Sequence, residues 1–583
     1  MAVVLLTTTL FAQNSTPPPS IAAGVFPVDQ VRRGLHGVAY TVFEGTQPEA
    51  MNVELLGVLR NAVGPGQDMI LARLSGTKPE YTGVVAGMSG SPVYIDGKLL
   101  GALAFRIGEF SKEPICGITP IQNMFQVRDQ PQPASAPPLA VASLGSSSIP
   151  APATPVADST VIHPIETPLV FSGFGQEAIK LWQEKVGGSG FSAVAGIGGS
   201  ASDKPQPEPI VPGSAVSAVL VRGDLEISAT CTATYVDPQQ LLACGHPITQ
   251  FGPISMPMTK AEVIATLPSP LNAFKIVNTT ETVGSFNEDR QSAIRGQFGA
   301  PARMIPVTVQ VHGVGQPRSL HFEVIDQQQI TPGAIMVSVF QSLLASNNST
   351  AETSYHVRGT LKLDGYNPVL LDTTLAPTDA LPASLSTALI IGDRFSRLYD
   401  NATRTKGIRD VKLEIEAFPG RRSLQLEGAH TATPRVHAGQ TVMVEATVRP
   451  YHGEARNLRI PVKLPETLPN GQVRLLLSDG ATLDRIVLPP RNAGKQLDLG
   501  ATIAQLNSLH TSDQLYVTLL SPATQATLQG RILPSLPLSM ANVLEPLRAN
   551  QELALNGESA IPLTAIPMDA ALTGQEVVTF TVE

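Results

Sequence analysis

The stretch of this chain best equipped for chemistry is Gly87-Met88-Ser89-Gly90-Ser91-Pro92. A serine hydroxyl is a weak nucleophile, and it needs both a base and a place for the negative charge that its attack creates. Glycines flanking Ser89 let the backbone turn sharply, so that the amides of Gly87 and Ser89 can point at one spot and form an oxyanion hole. The residues after the box, Val93-Tyr94-Ile95-Asp96-Gly97-Lys98, read as a strand closing on an Asp-Gly hairpin turn. The same six residues also describe a tight glycine-rich turn in a β-protein with no chemistry.

The base such a serine needs is best supplied by histidine, whose unperturbed pKa lies near neutrality. Of the 10 histidines, His246 stands out because it closes a strand, in Leu241-Leu242-Ala243-Cys244-Gly245-His246-Pro247. Gly245 and Pro247 constrain the backbone on both sides and would hold the imidazole at the rim of a barrel. His36, in Gly34-Leu35-His36-Gly37, is the rival, since a base that precedes its serine is the order in chymotrypsin-like enzymes.

The elements that must position these residues are short strands. Val38–Phe43, Val53–Leu59 and Asp68–Leu74 precede the serine hairpin, and a short helix begins at Thr119-Pro120. Ala215–Val221, Glu226–Val236 and Leu241–Cys244 lead to His246, after a helix over Gln176–Trp182. Cys231 and Cys244 flank a hairpin turning at Asp237-Pro238, so a disulfide and two buried thiols both fit the spacing.

Here the pattern resembles the SpoIVB peptidase family, the endopeptidases of bacterial sporulation signalling. Gly87-Met88-Ser89-Gly90-Ser91-Pro92 with Asp96-Gly97-Lys98-Leu99-Leu100-Gly101-Ala102 is similar to that family's serine box, and Gly117-Ile118-Thr119-Pro120 with Met124 to its closing segment. Thr232-Ala233-Thr234-Tyr235-Val236-Asp237 and Ala243-Cys244-Gly245-His246 are similar to its histidine box, and Val283-Gly284-Ser285-Phe286 and Gly296-Gln297-Phe298-Gly299 to the segments after it. These matches cover most of residues 34 to 300. The resemblance implies a chymotrypsin-like double half-barrel, Ser89 as nucleophile, His246 as base, and the Gly87 and Ser89 amides as oxyanion hole.

Two departures stand against it. The serine box precedes the histidine box here, the reverse of the family order, which implies a permuted arrangement of half-barrels. The family's aspartate falls at Leu74-Ser75-Gly76, where no carboxylate stands. Ser75 orienting the imidazole, another acid such as Asp289 or Asp68, and an incomplete, catalytically weak machinery are the three alternatives that follow.

At 583 residues the chain exceeds one core. Its 15% charged residues fall below the roughly 25% of an average globular protein, and 50 Pro and 49 Gly favour many short strands joined by turns. Residues 1–23 read as a residual signal peptide and polar leader, 24–127 as the half carrying Ser89, and 128–160 as a Pro/Ala/Ser-rich linker. Residues 161–300 form the half carrying His246, 301–418 a β-rich domain with a helix over Pro332–Ala345, and 419–583 β-sandwich-like modules. The expected protein is therefore mainly β and exported (periplasmic, cell-surface or secreted), with a protein or peptide substrate. Its C-terminal modules would engage another protein or a cell-surface polymer. A net charge of -8 gives no basic footprint for nucleic acid. No cysteine or histidine spacing suggests a metal, no cofactor motif stands out, and no transmembrane helix is expected beyond the signal segment. A non-catalytic binding scaffold on the same fold is the competing reading.

Overall fold

A computed structural model of the chain describes residues 24–108, 111–130, 162–165, 167, 169–186, 198–199, 205–269, 273–346, 352–404, 406–488, 497–528, 531–549 and 553–583. The leader over 1–23 lies outside these residues, as does nearly all of the expected linker. The protein is mainly β, and its described residues divide into two compact units, one up to residue 304 and the other from 305 to 583. The two halves expected around Ser89 and His246 thus belong to a single unit.

In the first unit, β1 (His36–Thr41), β2 (Glu49–Gly64), β3 (Gln67–Ser75), β4 (Pro92–Ile95), β5 (Lys98–Ile107) and β6 (Ile115–Pro120) pair in the order β4-β1-β2-β3-β6-β5. A further β4–β5 pairing closes the circuit into a six-stranded barrel. Alternation drives it: every second residue from Ile70 to Leu74 is buried, and Val53, Leu55, Leu100, Leu103 and Ile118 meet them in one core. Asp96 and Gly97 both take positive φ, 48° and 75°, as a two-residue hairpin requires. Helix α1 (Thr77–Thr82) leads into the serine box, and α2 (Ile121–Arg128) follows β6.

The second half carries β7 (Ile162–Pro164), β8 (Leu169–Ser172), α3 (Gln176–Lys185), β9 (Gly198–Gly199), β10 (Ala215–Gly223), β11 (Glu226–Val236), β12 (Gln240–Ala243), β13 (Gly252–Leu267), β14 (Phe274–Arg290) and β15 (Ala293–Phe298). Six of these pair as β10-β13-β14-β15-β12-β11, and a β10–β11 pairing closes them in turn. β13 and β14 are long bulged strands that the sequence did not reveal, apart from Val283–Phe286 within β14. Phe125 of α2 stacks edge-on against Tyr235 of β11 at 5.2 Å, and Tyr40, Tyr94, Ala102, Met124 and Leu242 share a core between the halves.

The second unit begins with five strands that pair in the order Val369–Leu375, Thr353–Leu363, Ile408–Pro419, Met304–Gly313, Arg318–Ile325. Helices Thr331–Ser346 and Ala383–Tyr399 pack on each other beside it. The first was expected; the second, rich in Ala, Ser and Thr, was not. Beyond it, a four-stranded and a five-stranded sheet share one hydrophobic core from Leu424 to Val582, a β-sandwich.

Candidate functional site

The serine box lies in the loop between α1 and β4, and the halves of the first unit meet on it. Thr232 of β11 donates its amide to the Ser89 carbonyl oxygen at 2.8 Å and its hydroxyl to the Gly87 carbonyl oxygen at 3.0 Å. Thr234 donates its hydroxyl to the Gly90 carbonyl oxygen at 2.7 Å. Thr119 bonds the Gly245 carbonyl oxygen at 2.7 Å, tying the end of β6 to the turn before His246. Gly87 and Gly90 take φ of +94° and +93°, which few residues but glycine adopt.

The amides of this loop divide into two sets. Met88 N–H turns back to the Val85 carbonyl, Gly90 N–H donates to Leu103 and Ser91 N–H to Met88. Among the described residues, nothing accepts from the amides of Gly87 or Ser89. Each sits in a peptide whose opposite end is anchored. The Ala86 carbonyl accepts from Lys275 N–H at 3.2 Å, and the Met88 carbonyl accepts from Ser91 N–H at 3.0 Å and Ser91 Oγ at 2.6 Å. Anchoring a carbonyl fixes the plane of its peptide, and so the direction of the N–H across it.

Ser89 is fully buried, and its Oγ has no hydrogen-bond partner among the described residues. His246 is 2% exposed, and its Nε2 likewise has none. The two atoms therefore form no hydrogen bond with each other. The His246 Nδ1 lies 2.7 Å from the Pro247 carbonyl oxygen. That contact makes Nδ1 the N–H donor and leaves Nε2 with the lone pair, the tautomer a general base requires. Burial lowers the His246 pKa to about 4, partly opposed by the Pro247 and Ile165 carbonyls, so the ring is neutral at pH 7.

None of the three candidates for a third member bonds the imidazole. Asp289 is buried, and its carboxylate accepts from the amides of Ile248, Thr249 and Gln250 and from the Thr249 hydroxyl. It fixes the loop after His246 instead, and burial pushes its pKa up against those four donors. Asp68 binds Arg60 and the Asn61 amide near the tip of the β2–β3 hairpin. Ser75 ends β3, half-buried and in register with Asn52. The rival His36 is exposed at the start of β1, paired in register with Glu54. Among the described residues, the group that orients the ring is the Pro247 carbonyl and not a carboxylate.

Cys231 and Cys244 form the disulfide, with Cα atoms 5.3 Å apart. It fastens β11 to the turn that presents His246, just where Cys244 takes a φ of +67°. Cys116, the remaining cysteine, is buried and its thiol pushed up to about 12.

Lys275 joins the site without any signal in the sequence. It is fully buried, its Nζ donates to Thr41 Oγ1 at 2.7 Å, and its stem packs where a Cβ on Gly87 would lie. Thr41 Oγ1 in turn lies 3.4 Å from Thr232 Oγ1, the hydroxyl that holds the Gly87 carbonyl. Burial lowers the Lys275 pKa to about 7. A single lysine between Phe274 and Ile276 gives no sequence signal of this, because the groups that enclose it come from β1 and the serine loop.

Among the described residues, no cluster of three or more His, Cys, Asp or Glu could hold a metal ion, and no helix is long and apolar enough to cross a membrane. Compared with models of protein families, curated proteins and solved structures, the chain matches none.

Proposed function

We propose that this chain is an exported serine endopeptidase resembling the SpoIVB peptidases, with two chymotrypsin-like half-barrels in permuted order. One observation carries the reading: the Ser89 hydroxyl, the His246 Nε2 and the amides of Gly87 and Ser89 have no partner among the described residues, while every other backbone N–H and carbonyl from Gly87 to Ser91 is hydrogen-bonded. Such groups are costly to bury and are retained where a substrate completes them.

In this mechanism His246 Nε2 takes the proton from Ser89 Oγ as Oγ bonds to the scissile carbonyl carbon. The carbonyl oxygen becomes an oxyanion between the Gly87 and Ser89 amides. The imidazolium then gives its proton to the leaving amine, and an acyl-serine remains for water to hydrolyse by the same steps. The Pro247 carbonyl keeps Nδ1 protonated throughout. A carbonyl stabilises the imidazolium less than a carboxylate does, and loss of that acid can cost about 10⁴ in rate. Slow turnover follows. Ser89 Oγ and His246 Nε2 must also come into hydrogen-bond contact when substrate opens the loop. The Cys231–Cys244 disulfide agrees with an oxidising compartment, and the β-sandwich is assigned to binding a protein or a surface polymer.

The second reading, a non-catalytic scaffold, is favoured by the complete burial of Ser89 and by the absence, among the described residues, of an acid on the His246 ring. A fluorophosphonate probe separates the two. The peptidase reading expects covalent labelling of the wild-type chain that disappears in Ser89→Ala. A folded, disulfide-bonded chain that resists the probe at high concentration and long exposure supports the scaffold instead.

A further inference from the structure

A cleft of about 370 Å³ opens on the first barrel beside the serine loop. Gly83 and Val84 form part of its wall and run directly into the serine box, and Ala273, also in the wall, accepts the Ala86 amide at 2.9 Å. Neither Ser89 nor His246 lines it. The cleft and the candidate nucleophile are thus two faces of one piece of backbone, as a pocket for a substrate side chain must be.

Its charges are unevenly matched. Glu113 is held by Arg73, at 3.0 and 3.1 Å, and Glu80 accepts the Gly76 amide at 2.9 Å. Both carboxylates of the cleft are therefore engaged. The cations are not: among the described residues no group pairs with Arg106 or with the exposed Lys112. The Arg106 Nη2 is shut off from solvent and has no hydrogen-bond partner. A guanidinium nitrogen left without an acceptor is completed best by a carboxylate, whose charge complements its own.

We propose that this cleft receives an acidic side chain, Asp or Glu, of a peptide bound across the serine loop, with Arg106 as the residue that sets that preference. The assignment rests on the peptidase reading for the peptide's course, but binding alone tests it. Blocked peptides acetyl-Ala-Ala-Glu-amide, and its Gln and Lys counterparts, would be titrated calorimetrically into the full-length Ser89→Ala chain. The Glu peptide is expected to bind at least tenfold tighter than the Gln peptide and to weaken as salt rises. Arg106→Gln should bring the two to parity, and Arg106→Lys, which keeps the charge, should retain part of the difference. Equal affinities, no binding of the Glu peptide, or a preference untouched by Arg106→Gln would each overturn the assignment. Fluorophosphonate labelling of the wild type reports separately. An unreactive serine with the Glu preference intact removes the peptidase and leaves an acidic-peptide site. A reactive serine without the preference removes the pocket assignment alone.

Discussion

The amide of Thr232 donates to the carbonyl oxygen of Ser89 at 2.8 Å, so the candidate nucleophile's own peptide is stitched to a strand of the opposite half-barrel. Gly90 makes this approach possible. A Cβ there would overlap the Thr232 carbonyl oxygen and come within 2.5 Å of the Cys244 amide nitrogen.

Gly90→Ala should therefore break the seam. Strain at a φ of +93° costs roughly 1–2 kcal/mol, and displacement of β11 or the loop adds to it. A destabilisation of roughly 3 kcal/mol or more is expected in denaturant titrations of the first unit, together with loss of any Ser89 labelling. A variant as stable as wild type would mean that the loop is not docked on β11.

Ser89→Ala has the opposite sign. The hydroxyl is buried without a partner, so its removal relieves a group whose desolvation costs about 1–3 kcal/mol. The alanine variant should be as stable as the wild type or more so, as read by its denaturation midpoint. A loss of more than about 1 kcal/mol, the worth of an ordinary hydrogen bond, would show that Oγ is satisfied in solution.

His246 should make the protein acid-sensitive. Its pKa falls from 6.5 in the unfolded chain to about 4 in the folded one. Between these values the unfolded chain binds more protons, so stability declines as pH drops from 6.5 to 4, by up to about 3 kcal/mol. His246→Gln should flatten that part of the stability profile and leave the rest unchanged. An identical acid limb in the variant would place the His246 ring in contact with water.

What could be read in the sequence was local. The β4–β5 hairpin follows from Asp96-Gly97 and the alternation around it, and the β11–β12 hairpin from paired strand-length runs about Asp237, whose carboxylate caps the turn by accepting from Gln239 and Gln240. The turns that carry Ser89 and His246 were legible because glycine and proline neighbours mark backbone that must turn. The orienting group on His246 was sought as a side chain, and every chain has a carbonyl after each histidine, so Pro247 carries no signal. Lys275 and Ser91 were missed for a related reason. Their partners, Thr41 and the Met88 carbonyl, acquire meaning only once the loop is folded against β1 and β14.

Lys275 yields the sharpest test of that folded arrangement. Its ammonium donates to Thr41 Oγ1 while its stem lies against Gly87, and burial brings its pKa from 10.5 to about 7. Below pH 7 both folded and unfolded chains carry the proton, and the folded state bears the full cost of a buried charge. Above 10.5 neither carries it and the cost is gone. Stability should then rise with pH between 7 and 10.5, because the unfolded chain binds more protons throughout that window. Lys275→Met keeps the apolar stem against Gly87 and removes the titrating group. At pH 7 the variant should be the more stable protein, less the hydrogen bond to Thr41, and its advantage should shrink towards pH 10, with about 5 kcal/mol as the ceiling on that change. Paired denaturation curves at pH 7, 8.5 and 10 (about one and a half units apart) read this directly. Parallel profiles for the two proteins would mean that the Lys275 amine reaches water, and that the Thr41–Thr232–Gly87 chain of hydrogen bonds is not closed around it.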